Sequence, residues 1–382
     1  MKPYAVLLFS LMLAACGAAP IVEQPDRLFN DNLFFAPSER ISADDVFALS
    51  DEMKHYLGTE IAREWRAKSR QQGLFDALYT KGKLKLQFDS AMTRNAAQAF
   101  AARSGNCLSL VIMTAAFARE MDLPVRYQSA FVDQTWSRSG DIQFFSGHVN
   151  LTLGGRQTHD RFGHNEPDLT IDFLPPQEIR GLRTRSIGEA TIVAMYMNNR
   201  AAELFAQGLV NNAYWWARAA IGQDAGFLSA YNTLGIIYQR HGNLAEAEKV
   251  LAYALEREPG NPHVMSNLVS VLNAQGRVEE SSILARKLEQ MEPNPPFSFF
   301  DRGLTAMRNG DFQAARDLFA KEVDRAPYYH EFHFWLAAAY VGLGEMEQAK
   351  EQLTIAMEYS TTRNDHDLYA TKLERIRSSH LQ

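Results

Sequence analysis

An α+β domain followed by an all-α array of helical hairpins is what this sequence of 382 residues predicts. Three observations lead there. Residues 41 to 190 mix helical periodicity with short stretches of strict apolar–polar alternation, the two signatures of a mixed domain. Residues 194 to 363 repeat a glycine, a small residue and a proline at one fixed interval, which only a stacked array needs. Within the first pattern stand a cysteine opening an apolar helix and two strands carrying one histidine and one aspartate.

Composition bounds the reading. A hydrophobic content of 46% supports well-buried cores in two domains, and a net charge of −6 with interspersed signs and no basic tract argues against nucleic acid as a partner. The first residues read as an export signal. Lys2 precedes an apolar run from Tyr4 to Leu13, which is shorter than the ~20 residues a membrane-spanning helix requires. The stretch Leu13-Ala14-Ala15-Cys16 resembles the lipobox of bacterial lipoproteins. That resemblance implies removal of residues 1 to 15, a lipidated Cys16, and a membrane partner reached through the acyl chains. Gly17 in place of aspartate implies the outer membrane, with the body facing the periplasm. The alternative is an ordinary secretory signal that leaves Cys16 to form a disulfide with Cys107. Residues 16 to 40, with Pro20, Pro25 and Pro37, read as a tether into the first domain. Phe29, Leu33, Phe34 and Phe35 are too apolar for all of it to stay solvated.

In residues 41 to 190 a helix is expected from Ser42, capped by its hydroxyl and favoured by Asp44 and Asp45 in the first turn. Its apolar positions are Val46, Phe47, Leu49, Met53 and Tyr56. More helix is expected through Trp65, Leu74 and Leu78. Leu84, Leu86 and Phe88 alternate like a short strand, and Asp89-Ser90 can cap a helix running to about Arg103. From Cys107 to Met121 the chain is apolar almost all round, so that helix is central and buried. Asp122-Leu123-Pro124 stops it and Val125 begins a strand.

Cys107 is a candidate nucleophile because a helix N-terminus and a nearby imidazolium both lower a thiol pKa. Alternation in Gly147-His148-Val149-Asn150-Leu151-Thr152-Leu153 puts His148, Asn150 and Thr152 on one face. In Leu169-Thr170-Ile171-Asp172-Phe173 it puts Asp172 with Thr170. If the two strands pair, Asp172 can accept one histidine N–H while the other nitrogen takes the thiol proton. The plain alternative is an inert core thiol. His159, Asp160, His164 and Asp168 form a looser cluster, better read as a polar loop than as a metal site.

These residues resemble the transglutaminase-like superfamily of papain-type cysteine enzymes over roughly residues 90 to 180. Arg103-Ser104-Gly105-Asn106-Cys107, the following helix and Leu123-Pro124-Val125-Arg126 are similar to its core motif. The resemblance implies a catalytic Cys107, His148 and Asp172, no cofactor, and attack on a peptide or protein amide through a thioester. Resolution by water is favoured over transamidation. It also implies an oxyanion hole made by the Cys107 backbone N–H and an upstream side chain, for which Gln87 is the candidate.

Gly242, Gly276, Gly310 and Gly344 recur every 34 residues, as do Pro259, Pro293 and Pro327, with small residues at Ala247, Ser281, Ala315 and Ala349. This matches the tetratricopeptide pattern. The first clear unit runs from Leu228 to Asn261. A degenerate one precedes it at Ala194 to Phe227, giving about five units over 194 to 363 and a cap or tail at 364 to 382. Such a solenoid offers a groove for a protein segment, or one that the chain fills itself. The expected function is therefore a membrane-tethered cysteine peptidase or acyltransferase with a docking array. The alternative is a non-catalytic lipoprotein adapter for envelope proteins.

Overall fold

The computed structural model describes residues 25–66, 68–80, 84, 86–89, 92–131, 136–139, 142–145, 148–154, 167–173, 183–360 and 362–379. The leader, Cys16 and the loop residues His159, Asp160 and His164 lie outside them. Short polar side chains decide where the first helices begin. Ser50 accepts the Met53 N–H and starts α1 (Asp51–Tyr56), which passes through a π-type turn at Leu57–Ile61 into α2 (Ala62–Trp65). The start expected at Ser42 is not used. The Val46 carbonyl there receives the Ala96 N–H from another helix, and Val46 itself is fully buried. Ser69 caps α3 (Arg70–Phe75). The helix expected from Asp89-Ser90 begins later, where Asn95 and Gln98 form a reciprocal capping box at α4 (Ala96–Ala102). Thr93 and Arg94 are diverted from it, because their N–H groups bind Glu203 and Ser109.

β1 (Gln87–Phe88) lies parallel to β2 (Ser104–Gly105), and β2 leads into α5 (Cys107–Glu120). Every residue from Leu108 to Ala118 is buried, as an all-round apolar helix requires. The chain reverses through Met121–Pro124, with Asp122 left-handed at φ 53° and the Leu123 N–H on the Ala118 carbonyl. β3 (Val125–Phe131) follows, then a hairpin of β4 (Trp136–Ser139) and β5 (Ile142–Phe145). β6 (His148–Leu153), β7 (Leu169–Ile171) and β8 (Arg183–Ile187) join β3 in an antiparallel sheet of order β7-β6-β3-β8. Val125 faces Leu153 and Ala130 faces His148 in its register, and α5 packs on β6.

The remaining residues form five helical hairpins. They are α6 (Glu189–Ala206) with α7 (Val210–Gln223), α8 (Leu228–His241) with α9 (Leu244–Arg257), and α10 (Pro262–Ala274) with α11 (Val278–Met291). Then come α12 (Ser298–Arg308) with α13 (Phe312–Arg325) and α14 (His330–Leu343) with α15 (Met346–Glu358), closed by α16 (Arg363–Ser379). The periodic glycines sit at the turn inside each hairpin with φ between 77° and 91°, a backbone state that a side chain would strain. The periodic small residues are buried where paired helices meet.

Residues 25–39 are laid across α7, α8 and α9. Side chains of the array hold their main chain: Tyr238 Oη accepts the Asn30 N–H (2.9 Å) and donates to the Leu28 carbonyl (3.1 Å). Asn211 Oδ1 accepts the Phe35 N–H (2.9 Å), Trp215 Nε1 donates to the Phe35 carbonyl (2.6 Å), and Asn212 accepts the Ser38 N–H. Asp31 receives both Tyr214 Oη (2.6 Å) and Arg218 Nε (2.9 Å). Burial, with Asp31 beside it, pushes the Tyr214 phenol up, so it stays a donor. Phe34 stacks on Tyr214 at 3.9 Å while Phe35 is exposed.

The apolar core is continuous from this segment to Leu272 and resumes at Phe297. The interruption falls at Pro295-Pro296, where α12 starts late behind a left-handed Phe297. Across the gap α12 is capped from α13: Glu322, fully buried, accepts the N–H groups of Phe299 (3.0 Å) and Phe300 (3.2 Å) through Oε1. Its Oε2 is buried without a hydrogen bond, and burial raises the carboxyl above its ordinary 4.5. A raised acid stabilises the fold fully below its unfolded value and loses that contribution as pH climbs through its folded one. Glu322→Gln keeps the acceptor and removes the charge. Its stability relative to the natural chain should therefore rise as pH increases from 4.5, in urea unfolding at several pH values. A difference independent of pH would contradict this.

Candidate functional site

The site is built on the start of α5. Asn106 caps that helix: its Oδ1 accepts the Ser109 N–H (2.9 Å) and the Ser109 hydroxyl (2.8 Å), while its Nδ2 donates to Thr93 Oγ1 (2.9 Å). Cys107 follows as the first helical residue, partly exposed, with no acidic side chain in that first turn. A sulfur there sits at the positive end of a helix of 14 residues.

His148 and Asp172 meet. His148 opens β6 and is 4% exposed, and Asp172 follows directly on β7. Antiparallel pairing of Thr152 with Thr170 brings the strand ends together, and their hydroxyls bond at 2.9 Å on the same face. His148 Nε2 lies 2.7 Å from Asp172 Oδ1, which leaves Nδ1 as the nitrogen not engaged by that carboxylate. The second carboxylate oxygen accepts Asn150 Nδ2 at 2.8 Å. Sequence reasoning does not single out Asn150 as a site residue. Its signal is the alternation that puts it on the face of His148, one step along.

Topology relates this pair to the cysteine. The rise of β3 from Val125 to Ala130 is about 17 Å, equal to about 11 residues of helix. The strand that leaves the end of α5 is therefore long enough, by Ala130, to match the distance from the last turn of that helix to its first. His148 is the register partner of Ala130. Gln87 stands in β1 opposite Ser104, three residues before Cys107, and its side chain falls outside the described residues. Of the looser polar cluster only Asp168 is described, paired with Arg126. Among the described residues no histidine, cysteine or carboxylate group gathers as a metal site, and no helix is long and apolar enough to cross a membrane.

The comparisons concern the array. The family model described as tetratricopeptide repeat matches residues 238–297 and 306–368, less than half of the chain, and the C-terminal region is an all-α array of such repeats. Among solved structures the chain is similar to YrrB, described as a TPR protein with an unusual peptide-binding site. The identity is 20% over 47% of this chain and 92% of that one, with a TM-score of 0.26. It is similar to TTC0263, a thermophilic TPR protein of Thermus thermophilus, at 18% identity over 47% and 98%, TM-score 0.30. With yeast Tom70 the values are 14% over 49% and 40%, TM-score 0.35. No curated protein matches.

Proposed function

We propose that this chain is a scaffold whose repeat array docks protein segments. The observation that supports it is the handling of residues 25–39: five side chains of α7 and α8 reach main-chain atoms from Leu28 to Ser38, a stretch that includes the 3-10 turn Asp31–Leu33. Reading main-chain groups is how a surface accepts a peptide without demanding one sequence. A synthetic peptide of residues 25–39 added to the full chain tests the reading. The resident segment competes at an effective concentration on the order of millimolar. A peptide with a Kd of about 10 μM should then bind the natural chain about 100-fold more weakly than a chain loosened by Asp31→Ala. Equal absence of binding to both would sink the proposal.

A second reading has its own observation, the His148–Asp172 contact. In it a Cys107 thiolate attacks an amide carbonyl, His148 protonates the leaving amine, and Asp172 fixes the imidazole. Water then resolves the thioester, or an amine does. In the same reading lipid on Cys16 holds the protein to the outer membrane, facing the periplasm. The test is thiol alkylation at pH 5. An ordinary thiol with pKa ~8.5 is ionised there to about 3 parts in 10⁴, while one paired with histidine is fully ionised. Lower intrinsic nucleophilicity takes back about two powers of ten, leaving an advantage of roughly 20-fold. His148→Ala should remove it. Iodoacetamide rates alike in the two proteins leave the adapter as the whole function.

A further inference from the structure

Thr93 is 2% exposed and is held from both modules. From the first domain, Asn106 Nδ2 donates to its hydroxyl at 2.9 Å. From α6, the first helix of the array, Asn199 Nδ2 donates to the same oxygen at 3.2 Å, and Glu203 Oε1 accepts the Thr93 N–H at 2.6 Å. Arg200 secures the other Glu203 oxygen at 2.6 Å. We propose that Asn199 and Glu203 of the repeat array are positioning residues for the Cys107 thiol, acting through Thr93 on the cap of α5.

The chemistry runs in short steps. A hydroxyl has two lone pairs, and here both meet amide donors, so Thr93 presents a fixed acceptor to Asn106. With its nitrogen tied to that acceptor, the Asn106 amide can turn only its oxygen toward Ser109, which is the orientation a helix cap requires. The first turn of α5, which carries the sulfur at Cys107, is thereby held in its capped geometry. Arg94 reinforces the arrangement, since its N–H binds the Ser109 hydroxyl at 2.8 Å. Burial raises the Glu203 carboxyl, while the Thr93 N–H and Arg200 work against that shift and favour the charged acceptor. On this account the array is part of the thiol site and not merely joined to it. The inference rests on the reading of Cys107 as a reactive thiol.

Alkylation of Cys107 in the full chain, followed from pH 3 to pH 9.5, tests it. Thr93→Val removes the shared acceptor and Glu203→Ala removes the anchor in the array. Asn199→Ala takes one donor away with less risk to folding. Loss of a helix cap corresponds to about a fivefold change in an equilibrium, so Thr93→Val and Glu203→Ala should raise the midpoint of the profile by about 0.7 pH unit and alkylate about fivefold more slowly on its acid limb, below that midpoint. Their rates should converge with the natural chain at pH 9.5, where ordinary thiols also ionise, and Thr93→Ser should restore the profile. A slowing equal at every pH would mean general loosening and overturn the assignment. So would variants that keep the natural profile while that profile has a low midpoint. A natural chain whose own midpoint lies near 8.5 would instead remove the underlying reading of the thiol, and the inference with it.

Discussion

Asp172→Ala is expected to cost about 3–5 kcal/mol, the usual result of removing one partner from a buried charged contact. The carboxylate is 5% exposed at its side chain and satisfies two groups at once, His148 Nε2 at 2.7 Å and Asn150 Nδ2 at 2.8 Å. Both of those residues are 4% exposed, so neither finds water when the acceptor goes. Asp172→Asn separates charge from shape. Its single oxygen can accept from one of the two donors while its own NH₂ opposes the other, so a smaller but definite loss is expected. Urea unfolding followed by circular dichroism measures both. A loss under 1 kcal/mol for the alanine variant would mean that the carboxylate is not the keystone of the β6–β7 edge.

Phe34→Ala is expected to be of similar size, about 3–5 kcal/mol for an aromatic removed from a packed site. The ring is 7% exposed and lies flat on Tyr214 at 3.9 Å, with Tyr238 and His241 closing its other sides. Tyr214 is in turn tied to Asp31, so the vacancy would loosen a hydrogen-bonded neighbour as well as an apolar one. Phe35 is the control, being 82% exposed; Phe35→Ala should fall within about 0.5 kcal/mol of the natural chain. Equal effects at the two positions would show that residues 25–39 do not lie as described.

Much of the architecture could be read from local patterns, because the devices that build it are local. A glycine every 34 residues in the left-handed state is a turn requirement of each hairpin, independent of its neighbours. The alternation around His148 and Asp172 is likewise a property of single strands, and their pairing follows once β6 and β7 are adjacent. What escaped reading was set by distant partners. Ser42 and Asp89-Ser90 have the chemistry of helix caps, yet Val46 and Thr93 give their backbone groups to Ala96 and Glu203. Apolar residues in 25–39 announced that the segment packs somewhere, and nothing local pointed to α7–α9. The gap in the core between α11 and α12 is invisible to periodicity. Pro293 keeps the interval, while the added Pro295-Pro296 delay the next helix and leave Val278, Ile283 and Met291 of α11 exposed.

The way residues 25–39 are fastened also determines how the molecule would bear tension. Were Cys16 lipidated as proposed, the stretch Gly17 to Gln24 would span at most about 29 Å, at no more than ~3.6 Å per residue. Any pull from the bilayer would then reach Tyr214, Arg218 and Tyr238 before it reached the sheet. Aromatic and charge-assisted contacts on two helices would take the load, and the thiol-bearing domain behind them would stay mechanically quiet.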